Sequence, residues 1–302
     1  MNLLPNPQFF LDQLITVADP IALVFVIASF LLFYLAKLIK DFLNPTFNLE
    51  KELLTHDNPA LALSSAGYWL GVGIIIAGLV SGNFTNLFPS ANPLVSELAE
   101  TLLWGIIGIL LLNAAIYIND KLILSAFSNI KEIIHDRNVG IGAVHCGSYI
   151  AAAFIIRPFV ATPSLGSFYI DILLTVLYFI LAQLLLFIFF KLYAKIVGYD
   201  LLKELEADNS AAGVATALSL VAIANIIAYP LYSSYNLFLF VLYFINGTIV
   251  LIGSRFITDK VILSKSALRD EIVRDRNWGA ATIEGTLALA ISFILTAAFS
   301  LL

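Results

Sequence analysis

Two side chains stand out by type and position. Asp136-Arg137-Asn138-Val139-Gly140 opens an apolar run that carries His145 seven residues past its Asn, and Asp275-Arg276-Asn277-Trp278-Gly279 opens another that carries Glu284 seven residues past its own. Seven residues into a helix is about 10 Å from its start. An ionised carboxylate inside a membrane costs about 2.5–3.5 kcal/mol on insertion scales, so Glu284 must face protein or water or be neutralised by protonation. Ala281, Glu284, Ala288 and Ser292 share one helical face, a small or polar seam. His145 shares a face with Gly142, Ser148, Tyr149 and Ala152, and imidazole is suited to relaying protons because its unperturbed pKa is near neutral. If the axis relating the two copies passes between them, the two residues meet as an asymmetric pair. The plain alternative is that both are buried hydrogen-bonding residues that tie helices together.

The Asp-Arg-Asn starts suggest a second chemistry. Helix N-termini with free N–H groups beside Arg137, Asn138, Arg276 and Asn277 form a candidate anion site on one face of the membrane. N-capping by Asn explains the same residues without a ligand. Sequences for catalysis are missing: there is no His-Glu-x-x-His, no phosphate-binding loop and no Gly-x-Ser-x-Gly. His145 and Cys146 are adjacent and so point about 100° apart on a helix, which is poor for a shared metal. No enzyme activity, cofactor or metal is expected, and the acidic balance with no basic patch gives no reason to expect nucleic acid.

These residues have to be positioned by membrane helices. Of 302 residues 60% are hydrophobic and 12% charged, and the mean hydropathy is +0.95, far from the soluble composition of roughly 25% charged. Eight apolar runs are long enough to cross a bilayer, at about 19–39, 59–81, 98–118, 139–160, 169–191, 209–230, 236–257 and 279–301. Every Lys and Arg except Arg157 falls between, or at the adjoining ends of, runs 1 and 2, 3 and 4, 5 and 6, or 7 and 8. By the positive-inside rule these loops are cytoplasmic and both termini are outside. The expected location is therefore a cell membrane.

The runs repeat. Lys51-Glu52-Leu53-Leu54-Thr55-His56-Asp57-Asn58 matches Leu202-Lys203-Glu204-Leu205-Glu206-Ala207-Asp208-Asn209, and Ile118-Asn119-Asp120-Lys121 matches Ile257-Thr258-Asp259-Lys260. An even number of crossings per copy makes the copies parallel, so the fold class is an all-α polytopic membrane protein of eight transmembrane helices in two parallel four-helix repeats, with units at 15–160 and 168–302. Asn58, Asn138, Asn209 and Asn277 mark the starts of the even runs. Small residues such as Gly67, Gly71, Gly147 and Ala215 place the even runs inside, with runs 1, 5 and 7 facing lipid. The spacing of Ile123, Phe127, Ile130 and Ile134 predicts a short amphipathic helix before run 4, and 82–97 and 158–168 read as compact turns.

Asp57-Asn58-Pro59-Ala60-Leu61-Ala62 with Gly67, and Arg137-Asn138-Val139-Gly140, resemble the YjfL-like family of bacterial inner-membrane proteins, known as domain of unknown function 350. That family's unit has four helices, with an Asn-x-Ala-Ala type of start on the second and fourth. Asn209-Ser210-Ala211-Ala212-Gly213 is the second copy's counterpart, without the Pro that follows Asn58. The resemblance implies a bacterial membrane protein with a link to membrane stress and brings no activity. The reading that follows is a small transporter or channel-like protein with a polar path past Glu284 and His145. The rival is a non-transporting membrane-stress scaffold or sensor with a cytoplasmic protein partner. The partner expected in either case is the lipid bilayer, with a homo-oligomer left open.

Overall fold

The computed structural model describes residues 20–82, 92–125 and 128–301. Eight helices in it are long and apolar enough to span a membrane: α1 Pro20–Leu43, α2 Pro59–Ser81, α3 Pro93–Leu122, α4 Val139–Ala161, α5 Phe168–Ile196, α6 Ser210–Ala228, α7 Leu237–Ile257 and α8 Trp278–Phe299. There is no strand among the described residues. Most of the expected turn at 82–97 lies outside the described residues, as does Phe127 of the expected amphipathic helix. The described part of that helix includes the short helical segment Lys131–His135, which buries Ile133, while Ile130 before it is exposed.

The even helices start in one repeated way. Each Asn cap accepts from the backbone N–H three residues on: Leu61 at 3.0 Å, Ile141 at 2.9 Å, Ala212 at 3.2 Å and Ala280 at 3.1 Å. The residue before each Asn is left-handed, with φ of 48° at Asp57, 53° at Arg137, 53° at Asp208 and 48° at Arg276. A non-glycine residue held there costs on the order of 1–3 kcal/mol and persists only where the surroundings enforce it. The enforcement comes from a short leader helix before each kink, at Leu49–Leu54, Lys131–His135, Leu201–Glu206 and Leu268–Val273. The leader's carbonyls catch the Asn backbone N–H, as in Asn138 N to Glu132 O at 2.8 Å and Asn277 N to Glu271 O at 2.8 Å.

The even helices then pack as a row, α2 on α4, α4 on α6 and α6 on α8, with the odd helices along its flanks. Backbones approach closely in this row: a Cβ on Gly67 of α2 would stand 2.4 Å from Cys146 Cα of α4. Packing without a hydrophobic drive between helices depends on such contacts. The inner position expected for all four even helices holds for three of them. In the most apolar stretch of each, 56% of α2, 78% of α4 and 83% of α6 are buried, against 22% of α8. Both α2 and α8 end the row with one even neighbour, but α2 also packs against α1 and α3, whereas α8 packs mainly against α7 among the odd helices.

Candidate functional site

His145 faces the first unit. Its Nε2 lies 2.9 Å from Asp120 Oδ1 on α3, an ion-pair contact off the hydrogen-bonding axis. Beside it is Lys40, from the last turn of α1 and only 6% exposed. The Lys40 ammonium sits 4.3 Å from the Tyr68 ring centroid and 5.6 Å from that of Tyr149, and it has no hydrogen-bond partner among the described residues. Cation–π attraction to two rings offsets part of its desolvation. Lys40, Ser64, Asp120, Asn129, His145 and Tyr149 line a cavity of about 80 Å³. Tyr149 therefore belongs to this cluster; Ser148 is buried but does not line the cavity.

Glu284 faces the second unit and is 2% exposed. Its Oε1 pairs with the Arg255 guanidinium of α7 and accepts from the Tyr193 hydroxyl of α5 at 3.1 Å. Arg255 also donates to Val197 O at 3.3 Å and lies 5.8 Å from the Tyr193 ring centroid. Glu284 Oε2 has no hydrogen-bond partner among the described residues, and the adjoining cavity of about 20 Å³ has room for a single water.

The two clusters occupy equivalent places with their charges exchanged. Aligned on Asn138 and Asn277, His145 corresponds to Glu284, Ile116 to Arg255, Asp120 to Asp259 and Tyr149 to Ala288. The first unit puts its acid on the third helix and its base on the fourth, and the second unit does the reverse. They do not meet. His145 looks toward α1 and α3 and Glu284 toward α5 and α7, because α6 is the shared neighbour of α4 and α8 and each polar face turns into its own unit.

Arg137, Asn138, Arg276 and Asn277 do not converge either. At the start of α4, Val139 N and Gly140 N donate to Asp208 Oδ1 at 2.7 and 3.2 Å, so a carboxylate of this chain already holds the anion position. Asn138 Nδ2 donates to Leu205 O at 2.7 Å and Glu132 Oε2 at 3.0 Å. Arg276 donates to Ala207 O at 3.1 Å and Asn277 Nδ2 to Glu271 Oε2 at 2.7 Å. Asn138 and Arg276 thereby bind the segment that leads into α6, and Asn138 and Asn277 also bind their own leaders, which is a structural use of the motif.

Lys40, Asp120 and Arg255 are the partners that sequence reasoning assigned to loops. Two spans outrun their apolar runs, α1 reaching Leu43 and α3 Leu122, which carries Lys40 and Asp120 into the bundle, and Arg255 lies in the last turn of α7. The available signal was helical spacing, since Ile116 and Asp120 lie one turn apart on α3, as do Arg255 and Asp259 on the matching stretch.

The chain is 23% identical over 256 residues to a UPF0719 transmembrane protein of Aquifex aeolicus (strain VF5), an alignment covering 82% of this chain and 89% of that one. No solved structure matches it. The family model described as Domain of Unknown Function (DUF350) matches twice, at residues 9–160 and again at 167–299. With nearly the whole length accounted for by two tandem matches, this membrane protein belongs to the DUF350 family as a fused pair of its units.

Proposed function

We propose that the chain is a small proton-linked transporter or channel-like protein, built from units at 15–160 and 168–302, with its ionisable centre at Lys40, Asp120 and His145. The observation that carries this reading is His145 Nε2 at 2.9 Å from Asp120 beside an unpaired, buried Lys40. Protonating His145 completes an ion pair with Asp120, and deprotonating it frees the carboxylate to attract Lys40 or an incoming cation. Three ionisable groups around one cavity thereby change their pairing with the protonation state of the imidazole. In this reading the basic loops are cytoplasmic, and the cavity is the inner vestibule of the path. The Glu284–Arg255 pair is the fixed counterpart in the second unit.

One observation favours the second reading, a non-transporting scaffold or sensor. Glu284, Arg255 and Tyr193 close around space for a single water, which is a packed seam and not a conduit. Reconstitution in liposomes with an internal pH dye discriminates the two. Transport predicts a proton or cation flux that His145→Gln and Asp120→Asn each reduce by tenfold or more. Absence of flux, or flux unchanged by both substitutions, refutes transport and leaves the scaffold.

A further inference from the structure

We infer that the row of even helices continues from one copy of this chain into the next, with α8 of one copy docking on α2 of a second. The row is one directional joint used three times. Asn58 of α2 donates to Ile133 O in the leader of α4 at 2.9 Å, Asn138 of α4 to Leu205 O in the leader of α6 at 2.7 Å, and Asn209 of α6 to Ile272 O in the leader of α8 at 2.8 Å. Each cap holds the leader of the next helix. Among the described residues no further leader meets Asn277 of α8: its amide bonds Glu271 of its own leader, and it is exposed where Asn58, Asn138 and Asn209 are 1%, 1% and 0% exposed.

The two open ends match the joint that already connects the units. At that joint Gly140 and Gly147 of α4 meet Gly213 and Ala217 of α6; a Cβ on Gly147 would stand 2.5 Å from Ala217 Cα, and one on Gly213 2.3 Å from Gly140 O. The repeat places Gly279 and Thr286 of α8 where α4 has Gly140 and Gly147, and Ala62 and Ala66 of α2 where α6 has Gly213 and Ala217. All four residues are exposed. Thr286 is larger than Gly147, so this joint spaces its helices more widely than α4 and α6. The polar contact is duplicated too. Asp208 caps the first N–H groups of α4, and Asp57, exposed and held in the same left-handed kink, is placed to cap those of Trp278 and Gly279 in the other copy. Leu54, 75% exposed, corresponds to Leu205 and offers its carbonyl to Asn277. An interface of this head-to-tail kind closes into a ring or continues as a row according to the rotation per copy.

The test is cysteine cross-linking in membranes on a Cys146→Ala background. Chains with Ala66→Cys and one affinity tag are co-expressed with chains carrying Thr286→Cys and another, and mild oxidation is applied. The expected result is a disulfide dimer containing both tags, at least tenfold above the yield when Phe30→Cys on the outer face of α1 replaces either partner, and reduced when Gly279→Leu is added. A 66–286 yield no greater than the Phe30 controls, with the protein still folded in the membrane, overturns the proposal and assigns these faces to lipid or to a different protein.

Discussion

Replacing Arg255 by leucine strips the guanidinium from a carboxylate that is 2% exposed and leaves Glu284 with the Tyr193 hydroxyl as its remaining donor. Breaking a buried pair by removing one partner costs about 3–5 kcal/mol, whereas replacing both partners by apolar groups of similar volume is near neutral. The cavity of about 20 Å³ beside Glu284 admits one water, which compensates part of the loss, so the expected cost is about 3 kcal/mol, or roughly two decades in the unfolding equilibrium. Arg255→Leu with Glu284→Leu should recover most of it. The assay is a double-mutant cycle on reversible unfolding in mixed micelles, in which the single substitutions and the pair are compared under one condition. Additivity within about 0.5 kcal/mol would refute the reasoning, since independent sites behave that way and an ion pair does not. The cycle also separates stability from transport: in the proposed mechanism the pair is fixed, so the double variant retains His145-dependent flux while it recovers stability.

Asn138→Ala removes a cap and two buried amide hydrogen bonds and should cost about 2 kcal/mol, whereas Asn277→Ala, exposed in a single chain, should cost about 0.5–1 kcal/mol in detergent; equal losses by thermal melting would contradict the repeated-joint description. Gly67→Ala places a methyl 2.4 Å from Cys146 Cα with backbone in the way, and should destabilise the α2–α4 contact by about 1–3 kcal/mol, read as loss of folded monomer in size-exclusion chromatography, while Gly253→Ala, with open space around it, should not. Asp275 is hydrogen-bonded to Arg274 at 2.7 Å, which holds its carboxyl below the ordinary aspartate range. Carboxyl-carbon NMR should show it titrating below about 3.9, the unperturbed value, and returning toward that value in Arg274→Gln. A folded-state pKa that is depressed stabilises above the unfolded value and fades as pH falls through the lowered one, so this pair contributes nothing at strongly acid pH.

How much of this architecture was legible depends on the range over which each determinant acts. The Asn caps and the repeat were readable because a cap is a local event: Asn138 must accept from Ile141 whatever surrounds it. The left-handed residue before each cap carries no such mark, since Asp57, Arg137, Asp208 and Arg276 share no side-chain chemistry, and what holds them is the leader helix and its carbonyls. Charged partners were harder for a related reason. Lys40 and Asp120 fall just past the ends of apolar runs and Arg255 near the end of one, which reads as the membrane surface, but a helix continues through a charge whenever a neighbour compensates it. The compensating groups, the rings of Tyr68 and Tyr149 for Lys40 and Glu284 for Arg255, lie on other helices.

The same distinction explains why His145 and Glu284 failed to meet. Equivalence under a parallel repeat fixes how each residue faces its own unit, and the unit turns that face toward its odd helices, away from the row of even ones. The row is left for backbone contact among small residues, and its register is set by Asn, Asp and leader carbonyls at the basic face. Function and assembly are thereby separated within one helix. On α4, His145 and Tyr149 serve the cavity while Gly140 and Gly147 serve the joint, and on α8, Glu284 faces Arg255 while Gly279 and Thr286 face outward. A substitution on the joint face that alters flux would show the two faces to be coupled, and the variant to make first is Gly147→Ala. Its methyl would stand 2.5 Å from Ala217 Cα and push α4 off α6 without touching His145, so a change in the pH dependence of flux in that variant would place control of the ionisable centre in the row.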